Sequence, residues 1–228
     1  VVLMILGFWS RKVFFDYLGA EVVGLETTAG NLLGFLNLAE LGIGMSVTYF
    51  MYKPLFSKDY EEINRIVALQ GWIYKRVAFF VIAGALVLMC FFPIIFKSMI
   101  LPLWYAYAVF GVFLFGSLLG YFVNYRQIVL NADQKGYKVT RVTTGMNVVL
   151  RIIQILLLPI VPNPFIFYIS TTLFSTIFTC WWLNHTVAKE YPWLKTRGLN
   201  GKDLLRDYPE VITKTKQLFV HKITTVLL

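Results

Sequence analysis

The sequence predicts an all-α membrane protein, and three observations carry that expectation. Hydrophobic residues make up 58% of the 228 residues and charged residues only 14%, where a soluble domain carries about a quarter charged. The apolar residues gather in runs near the length of about 20 that a membrane-spanning helix needs. The basic residues, which give a formal charge of +9, alternate from one connection to the next. Five lie between Lys53 and Arg76, four between Arg126 and Arg141, and eight between Lys189 and Lys222. The turn at Lys97 has one, and Val161-Pro162-Asn163-Pro164 has none. This is the positive-inside pattern. The basic balance therefore reports topology and contact with the anionic headgroups of a phospholipid bilayer. No basic stretch has the motif or fold context of a nucleic-acid binder, and no nucleic-acid partner is expected.

The elements follow in order. Val1 to about Phe15 reads as the tail of a first span, with Arg11 and Lys12 near its outer end and Tyr17-Leu18-Gly19-Ala20-Glu21 as the connection. A second span over about Gly30 to Phe50 has Glu40 near its midpoint, and Tyr52-Lys53-Pro54 should end it, because proline disfavours helix in the residue before it. Ser57 to Arg76 reads as an amphipathic approach, its early Asp59, Glu61 and Glu62 suiting a helix N-terminus. It leads into a third span at about Val77 to Phe96. Pro102 marks an outer turn, and a fourth span covers about Leu103 to Tyr125 and continues to about Asn131. Gln134-Lys135-Gly136 is the inner turn before a fifth span at about Thr140 to Val161. Pro162 and Pro164 punctuate the next turn, and a sixth span covers about Phe165 to Leu183. Glu190 to Lys216 is polar and reads as a cytoplasmic linker with one amphipathic helix around Lys202 to Tyr208. A seventh span opens at the last residues. The chain starts at Val1 inside an apolar run and stops as another begins, so it is expected to be part of a longer protein. The counts of Lys and Arg put the N-terminus in the cytoplasm.

Two ionisable residues interrupt these runs: Glu40 and Arg151. A charge at the bilayer centre costs about 3 kcal/mol or more and marks function by default. Asn37 and Glu40, three apart, share a helix face. Thr144, Asn147, Arg151 and Gln154 form one stripe on the fifth span, and Tyr168, Thr172, Ser175 and Thr179 a milder one on the sixth. Several readings stay open. Glu40 and Arg151 form a structural ion pair; or Arg151 attracts an anionic headgroup into a hydrated cavity where Glu40 tunes or couples the site; or one of them faces lipid or the interface. The Thr and Ser stripe, and the pairs Gly30-xxx-Gly34 and Gly116-xxx-Gly120, read as helix packing. Cys90, Cys180, His185 and His221 have no partners at metal spacing. With no GxSxG and no phosphate-binding glycine loop, nothing calls for a cofactor and enzymatic chemistry has no visible carrier.

Several segments then point one way: Arg11-Lys12-Val13-Phe14-Phe15, Leu18-Gly19, Gly24-Leu25, and Phe35-Leu36-Asn37-Leu38-Ala39-Glu40-Leu41-Gly42-Ile43-Gly44. Tyr52-Lys53-Pro54, Asp59 and Ala132-Asp133-Gln134-Lys135 follow. This order resembles the bacterial polysaccharide and O-antigen flippases of the multidrug/oligosaccharidyl-lipid/polysaccharide exporter superfamily, over nearly the whole chain. The resemblance implies a MATE-like fold of two six-helix lobes around a central cavity. Residues 1–187 would be the N-terminal transmembrane lobe, 188–215 the cytoplasmic linker and 216–228 the start of a second lobe, most of which lies beyond this chain. It further implies movement of undecaprenyl-diphosphate-linked oligosaccharide across the bacterial inner membrane by alternating access. On that reading Arg151 meets the diphosphate, Asn147 and Gln154 bond sugar or phosphate, and Asn37 shares the substrate-facing surface. Glu40 couples a cation or holds Arg151. The rivals are a cation-coupled multidrug antiporter of the same fold and, in another class, a membrane-bound glycosyl- or acyltransferase.

Overall fold

A computed structural model describes residues 2–40, 42–196, 201–211 and 213–218. They hold helices and no strand. The expected opening of a seventh span lies, apart from residues 216–218, outside the described residues. The helices are α1 (Val2–Tyr17), α2 (Gly19–Leu36), α3 (Ile43–Ser57), α4 (Tyr60–Cys90), α5 (Phe92–Ile95), α6 (Leu103–Phe122), α7 (Ile128–Ala132), α8 (Gly136–Leu157), α9 (Pro164–Glu190) and α10 (Gly201–Asp207). Three of them, α4, α6 and α9, are long and apolar enough to cross a membrane, and the apolar window of each buries only 22% of its residues inside the protein. Phe79, Phe80, Leu86, Val87 and Phe174 face outward from these helices. Such surfaces are unfavourable in water and suited to hydrocarbon.

Several boundaries differ from the sequence expectation. The connection after α1 is a single residue, Leu18, whose N–H donates to the Phe14 carbonyl at 2.9 Å. Gly19 has φ 84, which glycine adopts without strain. α2 therefore starts well before Gly30, and Glu21 and Glu26 are helical. The segment expected as a second span is broken: a 3₁₀ turn, Asn37–Glu40, follows α2, and Gly42 at φ 89 precedes α3. Glu40 sits in this break rather than mid-helix. Pro54 does not end α3. The stop comes at Lys58, at φ 57, where the Lys58 and Asp59 N–H groups reach the Leu55 and Pro54 carbonyls at 3.3 and 2.9 Å. The amphipathic approach and third span fuse into α4. Its start is capped by Asp59, whose carboxyl accepts the Glu62 N–H at 3.1 Å. The turn at Gln134 (φ 55) and the start of α9 at Pro164 fall where expected.

The chain divides into two compact units. The first comprises Val1–Leu36, Ile82–Leu118 and Arg141–Thr179. Its core has Leu25, Ala29, Tyr105 and Phe110, with Phe92 stacked on Tyr107 at 5.1 Å. Glu21 fastens the chain after α5 by accepting the N–H groups of Ile100 and Leu101 at 3.1 and 3.2 Å.

The second unit comprises Asn37–Val81, Leu119–Thr140 and Cys180–Leu228. Met51, Ile63, Val67, Leu69, Val129 and Leu130 fill it. A Cβ on Gly71 would meet Tyr125 Cε2 at 2.7 Å, so glycine permits that close approach. The linker is fastened to this unit. Asn64 accepts the Lys195 N–H at 2.8 Å, Arg126 donates to the Leu194 carbonyl at 2.7 Å, and Arg65 pairs with Asp207 at 2.5 Å. Tyr208 donates to Glu62, and Ser46 to the Val211 carbonyl at 3.0 Å.

Candidate functional site

The first unit contains a polar cleft of about 450 Å³ built on the α1–α2 hairpin. Gly7, Ser10, Arg11 and Phe14 line it from α1, and Val23, Glu26, Thr27, Gly30 and Asn31 from α2. Both sets follow the three–four spacing of one helix face. Phe113 of α6 and Arg151 of α8 complete the lining. Adding a Cβ at Gly7 or Gly30 would meet nothing within 4 Å. Gly30 thus faces the open cleft, with no close neighbour among the described residues. Gly34 and Gly120 also face open space, and of the two expected glycine pairs only Gly116 is close to a neighbour, Thr176 Cγ2 at 3.1 Å.

Arg151 lies 3.6 Å from Glu26, too far for a hydrogen bond and close enough for an ion pair. Its guanidinium sits 5.0 Å from the centre of the Phe14 ring, and Tyr168 packs edge-on against the same ring at 5.4 Å. Ser10 and Thr27 donate their hydroxyls to carbonyls of their own helices at 3.0 and 2.9 Å. Arg11 and Asn31 bond no partner among the described residues. The polar groups free to meet a ligand are therefore Arg11, Asn31 and, shared with Glu26, Arg151.

The expected stripe on α8 is dispersed. Gln154 is fully buried and donates to Thr171 and Thr172 of α9 at 3.2 and 3.3 Å. Its carbonyl oxygen has no hydrogen-bond partner among the described residues. Asn147 is exposed. Neither lines the cleft.

Asn37 and Glu40 belong to a separate network within the second unit. Residues three apart eclipse in a 3₁₀ turn, so the two share a face as expected. Tyr74 donates its hydroxyl to Glu40 at 2.5 Å, and Tyr121 donates to Asn37 at 2.9 Å. The two rings meet edge-on at 5.4 Å. Gln70, 2% exposed, leaves its carbonyl oxygen without a partner among the described residues. Within their own units, Glu40 accepts a hydrogen bond from Tyr74 and Arg151 is paired with Glu26.

A third polar cluster lies beyond the expected end of the sixth span, also in the second unit. Lys135 contacts Asp133 and Glu190 at 2.8 Å each, and Lys138 also pairs with Glu190. The two ammonium groups hold the Glu190 carboxyl down to about 2, well below its ordinary value. Hydrogen bonds to Asp133 and Glu190 raise Lys135 in turn. No group of His, Cys, Asp and Glu among the described residues is placed to hold a metal ion.

Arg11, Glu26, Asn31 and Tyr74 were not singled out in the sequence as site residues. Arg11 reads as an end-of-span residue, and Glu26 falls outside the expected second span. The signal that finds them is the helical spacing on either side of Leu18-Gly19. Comparison with protein-family models, with curated proteins and with solved structures gives no match.

Proposed function

We propose that this chain is the N-terminal lobe of a MATE-like flippase. Its substrate is undecaprenyl-diphosphate-linked oligosaccharide, carried to the outer leaflet of a bacterial inner membrane by alternating access for surface polysaccharide synthesis. One observation carries the reading: two arginines, Arg11 and Arg151, share a cleft of about 450 Å³ with one carboxyl group, Glu26. A guanidinium among apolar helices costs about 3 kcal/mol unless compensated. Glu26 offsets one of the two arginines. The remaining positive charge suits a diphosphate, whose oxygens guanidinium groups meet in bidentate fashion. The lipid tail stays in hydrocarbon and the sugars pass through hydrated space. Arg11 and Asn31 join Arg151 in this role. Gln154 serves packing, and Asn147 and Asn37 lie outside the cleft's lining. The six-span layout with a cytoplasmic N-terminus rests on the alternation of basic residues.

The reading is tested by deleting the gene in its host and measuring lipid-linked oligosaccharide on each leaflet. Cytoplasmic-side accumulation, reversed by the wild-type gene and not by Arg151→Ala at equal expression, supports it. A normal distribution in the deletion strain overturns it. The cation-coupled antiporter has one observation in its favour, the acidic residues Glu26 and Glu40. Export of a cationic dye that depends on Glu26 but not on Arg11 would favour it.

A further inference from the structure

We infer that Glu26 is a built-in counter-anion that competes with the incoming diphosphate for Arg151, so that binding is an exchange of one anion for another. The inference rests on the anion-site reading above and concerns how that site is regulated.

Four observations carry it. At 3.6 Å the Arg151–Glu26 contact is Coulombic only. A phosphate oxygen can approach a guanidinium at about 2.8 Å with two aligned N–H donors and so form the better bond. The pair is also accessible, with side-chain exposures of 35% for Arg151 and 24% for Glu26. Water can reach the carboxylate when the pair opens, which spares the large cost of stranding a fully buried charge. Third, Phe14 lies beneath Arg151 at 5.0 Å and retains the guanidinium over its ring when Glu26 lets go. Fourth, Arg11 lines the same cleft without any carboxylate partner among the described residues. It is the fixed cation that an arriving anion meets first, and Arg151 is the switched one.

The exchange has a consequence for transport. A site of two unopposed arginines would hold a diphosphate more firmly and release it more slowly. Glu26 returns to Arg151 as the substrate leaves, so part of the lost interaction is replaced within the protein.

The test uses the purified protein in nanodiscs, with farnesyl diphosphate as a lipid-linked probe and inorganic pyrophosphate as a free one. Glu26→Gln keeps shape and removes charge, and should bind farnesyl diphosphate about fivefold more tightly than wild type, the scale of a partly exposed ion pair. Glu26→Asp keeps the charge and should stay near wild type. Arg151→Ala should abolish the gain given by Glu26→Gln, and Arg11→Ala should weaken binding in either background. Equal gains for both probes assign the switch to the diphosphate itself; a gain with farnesyl diphosphate alone ties it to the lipid-linked form. No gain in Glu26→Gln, or a gain that survives Arg151→Ala, overturns the inference while leaving the flippase reading to the leaflet measurement. Absence of any binding by wild type and Glu26→Gln alike overturns the exchange together with the anion site.

Discussion

The contact between Tyr74 and Glu40 sets the strongest quantitative expectation. Its O···O distance of 2.5 Å falls in the range of charge-assisted hydroxyl–carboxylate bonds. Such bonds contribute about 1.5–3 kcal/mol in soluble proteins. Hydrogen bonds within membrane proteins average about 0.6 kcal/mol and reach about 1.7, because the unfolded chain also finds partners. Tyr74 is 7% exposed, so little water competes, and the short geometry places the bond at the upper end. A double-mutant cycle of Tyr74→Phe and Glu40→Ala should give a coupling of about 1.5 kcal/mol. The neighbouring cycle, Tyr121→Phe with Asn37→Ala, probes a neutral bond of 2.9 Å and should give about 0.6 kcal/mol. The assay is reversible unfolding by SDS in mixed micelles, with helical circular dichroism as readout. A Tyr74–Glu40 coupling no larger than that of the Tyr121–Asn37 pair would refute the reasoning. It would mean that the helix break is held by its backbone, with Gly42 at φ 89, and that Glu40 is incidental to it.

Other predictions follow from the same geometry. Glu190, held at about 2 against an ordinary 4.5, contributes stability that is fully present above about pH 4.5 and is lost as pH falls toward 2; a carboxyl titration by carbon NMR should find its midpoint near the lower value, and one near 4.5 would remove the Lys135–Lys138–Glu190 cluster. Gly71→Ala places a Cβ 2.7 Å from Tyr125 Cε2. Overpacking of about 1–3 kcal/mol then exceeds the roughly 1 kcal/mol that alanine gains in helix propensity, so thermal unfolding should move down. Gln154→Leu loses two weak bonds but also removes an orphaned buried oxygen; it should shift stability by less than about 1 kcal/mol and leave transport near wild type, whereas a transport loss at unchanged stability would return Gln154 to the substrate path.

The parts of the fold legible in the sequence were those written in local chemistry. The apolar runs that became α4, α6 and α9, the turn at Gln134, the start at Pro164 and the short helix near Lys202 each have their own signal. The break at the Asn37–Glu40 turn is hidden in the sequence because Leu36, Leu38, Leu41 and Ile43 keep the run apolar. Only Gly42 and Gly44 hint at it, and a glycine reveals its need for positive φ only in the folded chain. Pro54 points in the other direction: the helix runs past it to Ser57 and stops at Lys58, where positive φ ends it. The pairing of Arg151 needed tertiary information of another kind. Its carboxylate comes from residues between the expected connection at Tyr17–Glu21 and the expected span from Gly30, and the one-residue turn at Leu18 brings Glu26 into the same cleft as Arg11 and Phe14. The stripe of Asn147, Arg151 and Gln154 was correct as a helix periodicity, but three residues along one face need not meet one neighbour.

The central claim is that Arg11 and Arg151 carry an anionic lipid headgroup. The most direct measurement reconstitutes the protein in liposomes and follows a fluorescent polyprenyl-diphosphate oligosaccharide from one leaflet to the other. Wild type should move it, Arg11→Ala and Arg151→Ala should each slow transport by roughly tenfold or more, the loss of one charge-assisted contact, and Asn147→Ala should transport near the wild-type rate. Undiminished transport by both arginine variants, at equal incorporation, would contradict the account.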